Sequence, residues 1–420
     1  MNENNSIPKH WQVKILGEIG EIVSGGTPST KVTEYWSGNI SWITPADLSG
    51  YNEKIIFKGR KSISENGLKH SSARMIPKGS ILFSSRAPIG YVVIAGNEVC
   101  TNQGFKSIIP NKSILSDYLF YFLKASKQNA EKVASGTTFK EISLKAFSQL
   151  EIPLPPLPEQ QTIVTKIEEL FSHLENGKQQ LQTAQHQLKV YRQSLLKWAF
   201  EGKLTNTNVK DGEPDCRQAS LPKGWKIKEL KEITSVLGDG LHGTPEYSET
   251  GEYYFINGNN LTDGKIEIKK NTKRVSNEEF KKYKKPLNER TIFVSINGTL
   301  GYTAFYNNEK VILGKSACYF NVLDTIDKNY IRYFLTSNSF INYANKNATG
   351  STIKNVGLKT MRELQIPIPS LLSEQQFIVD ELESKLTICD KIEETINQSL
   401  QQAEALRQSI LKRAFEGKLV

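Results

Sequence analysis

The chain has 420 residues, 38% of them hydrophobic, and a mean hydropathy of −0.42, so it has room for two or three domains and no apolar run near the roughly 20 residues of a membrane span. Its start, Met1-Asn2-Glu3-Asn4-Asn5, lacks the basic-then-apolar pattern of a signal peptide, and a cytoplasmic protein without membrane association is expected. A net charge of +10 and a pI near 9.1 point to a polyanionic partner.

Residues 1–157 open with Ile7-Pro8-Lys9-His10-Trp11 and continue as short β-like runs separated by Gly, Asn and Pro, among them 80–84 and 90–94. A short helix is predicted over 117–124. Pro153, Pro155, Pro156 and Pro158 then form a stiff, extended approach. Residues 158–204 are helix-forming. Their apolar positions step by four and three through Ile163, Ile167, Leu170, Leu174, Leu181, Ala184, Leu188, Tyr191 and Leu195, which is a heptad pattern. Residues 205–220 are polar, with Asp211-Gly212-Glu213-Pro214-Asp215, and read as a linker. Residues 221–372 repeat the first plan, from Leu221-Pro222-Lys223-Gly224-Trp225 through β-like runs at 291–295 and 302–306, a helix at 329–336, and Pro367 and Pro369. Residues 373–420 repeat the long helix, with Ile378, Leu382, Cys389, Ile392, Ile396, Ala403, Leu406 and Ile410 on its stripe.

The repetition is closest at the helix ends. Residues 192–204 read RQSLLKWAFEGKL and residues 407–419 read RQSILKRAFEGKL. Upstream, Pro158-Glu159-Gln160-Gln161 answers Ser373-Glu374-Gln375-Gln376. The chain is thus a duplicated pair of domains, each ending in a long helix. A long helix with one apolar stripe must bury that stripe, and its twin is the obvious partner. Packing on its own globular domain is the alternative. Because the chain returns through a whole domain between the helices, a two-fold arrangement requires an antiparallel pair. The fold expected is α+β: two homologous, mixed, mostly β globular domains and two long antiparallel helices forming an intramolecular coiled coil, with pseudo-two-fold symmetry. Each helix would span on the order of 60 Å. Gly202 and Gly417 fit left-handed C-terminal caps, and Lys203 and Lys418 suit the negative end of the helix dipole.

Catalytic signatures are missing from the sequence. It carries no Gly-x-Gly-x-x-Gly, Walker or Gly-x-Ser-x-Gly motif, and no Asn/Asp-Pro-Pro-Tyr motif. Cys100, Cys216, Cys318 and Cys389 lie far apart, and the histidines show no metal-ligand spacing, so no metal site or disulfide framework is expected. Pro214-Asp215 followed by Glu229-Leu230-Lys231 loosely fits a nuclease pattern. However, Glu-x-Lys recurs in this Lys-rich chain, and the first half has no counterpart to the pattern.

The binding candidates lie in loops. Ser24-Gly25-Gly26-Thr27-Pro28 is answered by Leu241-His242-Gly243-Thr244-Pro245, where glycine lets backbone N–H groups approach a phosphate, or simply makes a turn. Thr44, after an apolar run, is answered by Asn257, with Asn259 close behind. Ser85-Arg86 is answered by Ile296-Asn297, with Thr299 following. Arg reads guanine and Asn reads adenine, so Arg86 and Asn297 would hold equivalent places with different preferences. Asn102, Gln103 and Lys106 precede a matching Lys315. Thr137, Thr138 and Lys140 match Ser351, Thr352 and Lys354; hydroxyls beside a lysine suit phosphate contact, or a helix N-cap before Lys140-Glu141-Ile142.

Taken together and in order, these motifs resemble the specificity subunit of type I restriction–modification systems. The resemblance covers nearly the whole chain. It is carried by the motifs ending in Trp11 and Trp225, the Gly-Thr-Pro loops, the two Ile-Pro-x-Pro…Glu-Gln-Gln stretches and the twin Ala-Phe-Glu-Gly-Lys-Leu endings. The second copy departs at Ser370-Leu371-Leu372-Ser373, where prolines are replaced. The resemblance implies a non-catalytic subunit that binds no cofactor itself. Each globular region would read one half of a bipartite site in double-stranded DNA, and the helices would fix the gap. Two modification subunits would bring S-adenosylmethionine and methylate adenine, and a restriction subunit using ATP and Mg²⁺ can join them. The alternatives are a recognition subunit of another modification system, an orphan, or a self-contained nuclease or methyltransferase.

Overall fold

The computed structural model describes residues 7–86, 88–136, 140–205, 221–350 and 353–420. Of the features read from the sequence, most of the linker, including Pro214, Asp215 and Cys216, lies outside the described residues. The chain forms two compact units. Unit 1 is Met1–Gln182 with Asn397–Val420, and unit 2 is Thr183–Ile396. The division therefore falls inside the long helices.

In unit 1 a five-stranded sheet runs in the order Gly20–Ser24, Phe105–Pro110, Ile81–Ser84, Val92–Ala95, Ile55–Ile56. Its pairings are antiparallel except the last. Strands Ile81–Ser84 and Val92–Ala95 are buried along their whole length, which is why they read as unbroken apolar runs. A three-stranded sheet, Lys61–Ile63, Trp36–Ile43 and Cys100–Thr101, lies in the same unit. Unit 2 follows the same plan with a shorter main sheet, Thr234–Asp239, Ala317–Val322, Thr291–Ser295, Thr303–Phe305, and a three-stranded sheet of Arg274–Val275, Tyr253–Ile256 and Val311–Leu313. In both small sheets a parallel pair joins the longest strand to the last one.

The doubled sequence motifs build the junction between each globular region and its helix. Gln12–Ile15 pairs with Glu151–Leu154, and Trp225–Glu229 with Gln365–Pro369. These are two-stranded ribbons, so their prolines cost no central ladder bond. The Trp11 indole donates to Glu159 at 3.0 Å, and the Trp225 indole to Glu374 at 2.8 Å. Gln160 is fully buried and satisfied: its oxygen accepts from Leu115 N–H at 2.9 Å, and its amide donates to the Ser113 and Pro155 carbonyls. Gln375 does the same with Asp327 N–H and the Thr325 and Pro369 carbonyls. Tyr118 and Tyr330 donate to the Pro153 and Pro367 carbonyls, each at 2.8 Å.

Each long helix, Leu157–Phe200 and Leu372–Phe415, has 44 residues, a length of about 66 Å at 1.5 Å per residue. Both end in the same cap. Lys203 N–H reaches Trp198 O at 2.8 Å and Gly202 N–H reaches Ala199 O, while Lys418 and Gly417 do the same with Arg413 and Ala414. Gly202 and Gly417 have φ of +70° and +67°. A Cβ on Gly417 would also lie 2.3 Å from Pro8, and one on Gly202 2.1 Å from Pro222.

These ends dock on globular cores. In unit 1, Phe415 makes edge contacts with Tyr118 and Phe122 of helix Ser116–Ala125, at 5.2 and 5.4 Å between ring centroids. In unit 2, Phe200 does the same with Tyr330 and Phe334 of helix Lys328–Thr336, both at 5.1 Å. The helix portions within each unit run antiparallel. In unit 1 Arg407 lies over the Phe171 ring at 4.4 Å, and Leu174 shares a groove with Ala403. In unit 2 Arg192 pairs with Asp390 at 2.6 Å and Glu393 at 3.0 Å. On the apolar stripe, Leu188, Cys389 and Ile396 are buried midway along the helices, while Tyr191, Ile392 and Leu406 are 43%, 45% and 50% exposed. The stripe is also buried near the ends (Ile163, Ile167, Leu195, Ile378, Leu382, Ile410), where a globular region supplies a third packing surface that a two-helix contact lacks.

Gln160→Ala should leave Leu115 N–H without its acceptor and cost about 1–3 kcal/mol. Gly417→Ala should cost at least about 1 kcal/mol through its left-handed φ alone. Urea unfolding of the full chain checks both, with a lowered midpoint expected for each.

Candidate nucleic-acid interface

Strand register gathers the candidate loops of unit 1 at one edge. Ser24 lies opposite Lys106, Ser84 opposite Phe105, and Ile43 opposite Thr101. Residues 25–28, 44–48, 85–86 and 102–104 are therefore neighbours. Hydrogen bonds lock them: Gly26 N–H to Thr101 O at 2.9 Å, Asn102 N–H to Ile43 O at 3.0 Å, and Ser85 N–H to Gly104 O at 2.7 Å. Thr27 donates its hydroxyl to Gln103, and both remain exposed. The Thr44 N–H and hydroxyl both donate to Asp47, at 2.8 and 2.7 Å. Segment 134–142 folds onto the same edge: Ser135 and Arg86 each bridge Glu141, and Ile142 N–H reaches Ser85 O at 2.9 Å.

Unit 2 reproduces the backbone bonds of this edge. Leu241 N–H donates to Leu313 O at 2.7 Å, Gly314 N–H to Ile256 O at 2.8 Å, and Ile296 N–H to Ser316 O at 3.0 Å. Thr349 and Asn297 bridge Asn355, and Val356 N–H reaches Ile296 O at 2.8 Å. Equivalent places are therefore Thr44 and Asn257, Asp47 and Asn260, Arg86 and Asn297, Asn102 and Gly314, Gly104 and Ser316, Glu141 and Asn355. The rims share a backbone and differ in side-chain chemistry. Where unit 1 has Asp47, Arg86 and Glu141, unit 2 has an asparagine.

The charges of the first rim form a cluster. Glu141 accepts from Arg86 Nε at 2.8 Å and lies 3.5 Å from Lys106 Nζ. Arg86 is 47% exposed, so much of its guanidinium faces out, whereas the Lys106 side chain is 8% exposed and turned inward. Lys106 thus balances Glu141 and is not presented on the surface. In unit 2, Asn257, Asn259, Asn297 and Thr299 line one cleft of about 570 Å³, with Lys269 and Tyr302 at its sides.

Other candidates are placed differently. Gly25 and Gly26 are buried, and a Cβ on Gly25 would lie 1.9 Å from Asn102 O, so close loop packing requires glycine there. The matching tight position in unit 2 is Gly240, whose Cβ would lie 2.3 Å from Gly314 O. The Gly-Thr-Pro motifs are thus offset in space: Thr27 corresponds to His242, while Gly243 and Thr244 sit further along and exposed. His242 bonds Asp239. Lys140 and Lys315 are exposed, and Lys354 donates to Asn345 at 2.6 Å. Thr137, Thr138, Ser351 and Thr352 lie outside the described residues. Residues 140–142 belong to a bridge and not a helix; the nearby helix Leu144–Ser148 is capped by Ser143. Sequence reasoning did not single out Glu141 or Asn355, and held Asp47, Asn260 and Ser316 only within longer candidate stretches; the partners of all five become visible only through register.

No group of three or more His, Cys, Asp or Glu that could hold a metal ion occurs among the described residues. Burial, with a smaller push from Glu65, raises the Cys100 thiol to about 11, and burial likewise raises Cys318, so neither offers a thiolate near neutral pH. Among the described residues no helix is long and apolar enough to cross a membrane.

Fold and rim together define a protein of two homologous, loop-bearing units carried on long helices. The sequence profile of the type I restriction modification DNA specificity domain matches residues 8–184 and 222–402, and the chain belongs to that family. The MjaIX specificity subunit of a type I restriction enzyme from Methanocaldococcus jannaschii is 38% identical over 263 residues, which is 61% of this chain. The match spans 60% of that relative's own length. The HsdS subunit from Thermoanaerobacter tengcongensis has the same fold, with a TM-score of 0.63 at 19% identity over 100% of both chains. A chain solved in work on complex assembly and conformational transition of the type I R-M system has a TM-score of 0.71 at 20% identity, over 98% of this chain and 99% of that one.

The Glu141 cluster generates a stability prediction. Glu141→Ala leaves Lys106 buried without its counter-charge and should cost about 1–3 kcal/mol. Adding Lys106→Met should restore part of that loss. Urea midpoints of the two single variants and the double variant check it through the coupling energy.

Proposed function

We propose that this chain is the non-catalytic DNA-recognition subunit of a type I restriction–modification complex acting in the cytoplasm. Each unit's rim reads one half of a bipartite site in double-stranded DNA. One observation carries this reading: the same hydrogen-bonded loop frame occurs in both units, with different side chains set into it. Such a pair of frames suits two half-sites of different sequence. The net charge of +10 supports a phosphate-lined partner.

In this reading the long helices set the gap between half-sites and dock two modification subunits. Those subunits bring S-adenosylmethionine and methylate adenine. A restriction subunit using ATP and Mg²⁺ completes the assembly, and this chain holds none of these groups. The exposed Tyr191 and Trp198, an edge-to-face pair 6.3 Å apart, offer apolar surface for docking. The test is to map methylated adenine in the host genome with and without the gene. A bipartite methylated motif that disappears with the gene is expected, and an unchanged methylation map would refute the reading.

Two variants probe its parts. Arg86→Ala should relax base preference in one half-site by about five- to 150-fold and leave the other half unchanged. Equal loss at both halves would contradict separate reading. Removing seven residues from each helix, 179–185 and 393–399, shortens each by about 10 Å, so the gap should contract by about three base pairs with both half-sites retained. A gap of unchanged length would exclude the helices as its determinant.

A further inference from the structure

The unit 2 cleft contains an amide whose direction is fixed. Strand Tyr253–Ile256 delivers Asn257 to the cleft. Asn257 N–H is tied to Asn260 Oδ1 at 3.0 Å. The Ser316 hydroxyl accepts from Gly258 N–H at 2.8 Å, so its single proton is free to donate to Asn257 Oδ1 at 3.0 Å. Gly314 leaves room for this contact, since a Cβ there would lie 2.2 Å from Asn257 Oδ1. A backbone N–H thus orients a hydroxyl, and the hydroxyl orients the amide. With Oδ1 held by Ser316, the NH₂ group of Asn257 is left as the donor presented to the cleft.

Unit 1 has no such relay. Its equivalent places are Thr44 and Gly104, and Thr44 spends its hydroxyl on Asp47. Unit 2 also replaces the charged Asp47, Arg86 and Glu141 by Asn260, Asn297 and Asn355. A fixed neutral donor distinguishes base edges by where their acceptors lie: purine N7, guanine O6 or thymine O4 in the major groove, but not cytosine, which offers only a donor there.

We infer that Asn257 is a specificity-determining residue of unit 2, donating its NH₂ to an acceptor on one base edge, and that Ser316 is the positioning residue that sets its direction. This deepens the function proposed above and rests on the rim being the base-reading surface.

The test is selection of bound duplexes from a pool with randomised positions, using the full purified chain and sequencing the bound fraction. The wild-type chain should recover a bipartite motif. If it recovers none, the base-reading premise itself fails. Asn257→Asp turns the donor into an acceptor, and should move one position of one half-site toward cytosine by about five- to 150-fold while the other half stays unchanged. Ser316→Ala should flatten preference at that same position, and Ser316→Thr, which keeps the hydroxyl, should restore it. The unchanged half-site reports that the chain is folded. A wild-type motif that survives both variants unaltered, or a loss spread over every position of that half, overturns the assignment.

Discussion

The insertion of each helix end into a globular core is the contact on which the rest depends. Phe415 packs on Tyr118 and Phe122, and Phe200 on Tyr330 and Phe334. Burying a phenylalanine is worth about 1.5–3 kcal/mol, and edge-to-face geometry adds to that. The glycine cap makes the insertion possible, because the chain must turn away at once against Pro222 or Pro8. The twin Ala-Phe-Glu-Gly-Lys-Leu endings are therefore repeated for packing reasons. One consequence is topological. Ile410, Leu411, Ala414 and Phe415 complete a core that Trp11, Leu16 and Ile19 start, so the core of unit 1 closes only after the second long helix has been made.

The second constraint is the buried glutamine at each helix start. Gln160 and Gln375 satisfy the loop before a short helix and the carbonyl of the proline approach at the same time. A buried amide with all its bonds made fixes direction in a way that apolar contact does not. Together with the Trp11 and Trp225 indoles, it holds each helix start at a set angle to its ribbon.

Much of this organisation was legible in the sequence. The duplication, the long helices, the short helices after the sheets and the glycine caps all follow from local pattern. The equivalence of Arg86 and Asn297 was also legible, since both follow a strand that the apolar pattern reveals. Other points were not. The Gly-Thr-Pro loops align by sequence but are offset in space, because hydrogen bonding equates Gly26 with Leu241. Lys106 reads as a surface cation but is buried, because its strand is central and Glu141 arrives from a distant segment to meet it.

The sequence by itself determined the family plan: two copies, each a β-rich region and a helix, with a rim of polar loops and no catalytic signature. Periodicity, proline placement and repetition are local properties, and they carry that much. Only the tertiary structure decided which helix end completes which core, how far the apolar stripe is buried, and which loop residues share an edge. It alone separated the charged cluster around Glu141 from the amide frame around Asn257. Such partnerships depend on strand register and on chain segments far apart in sequence, and no local pattern encodes a distance between them.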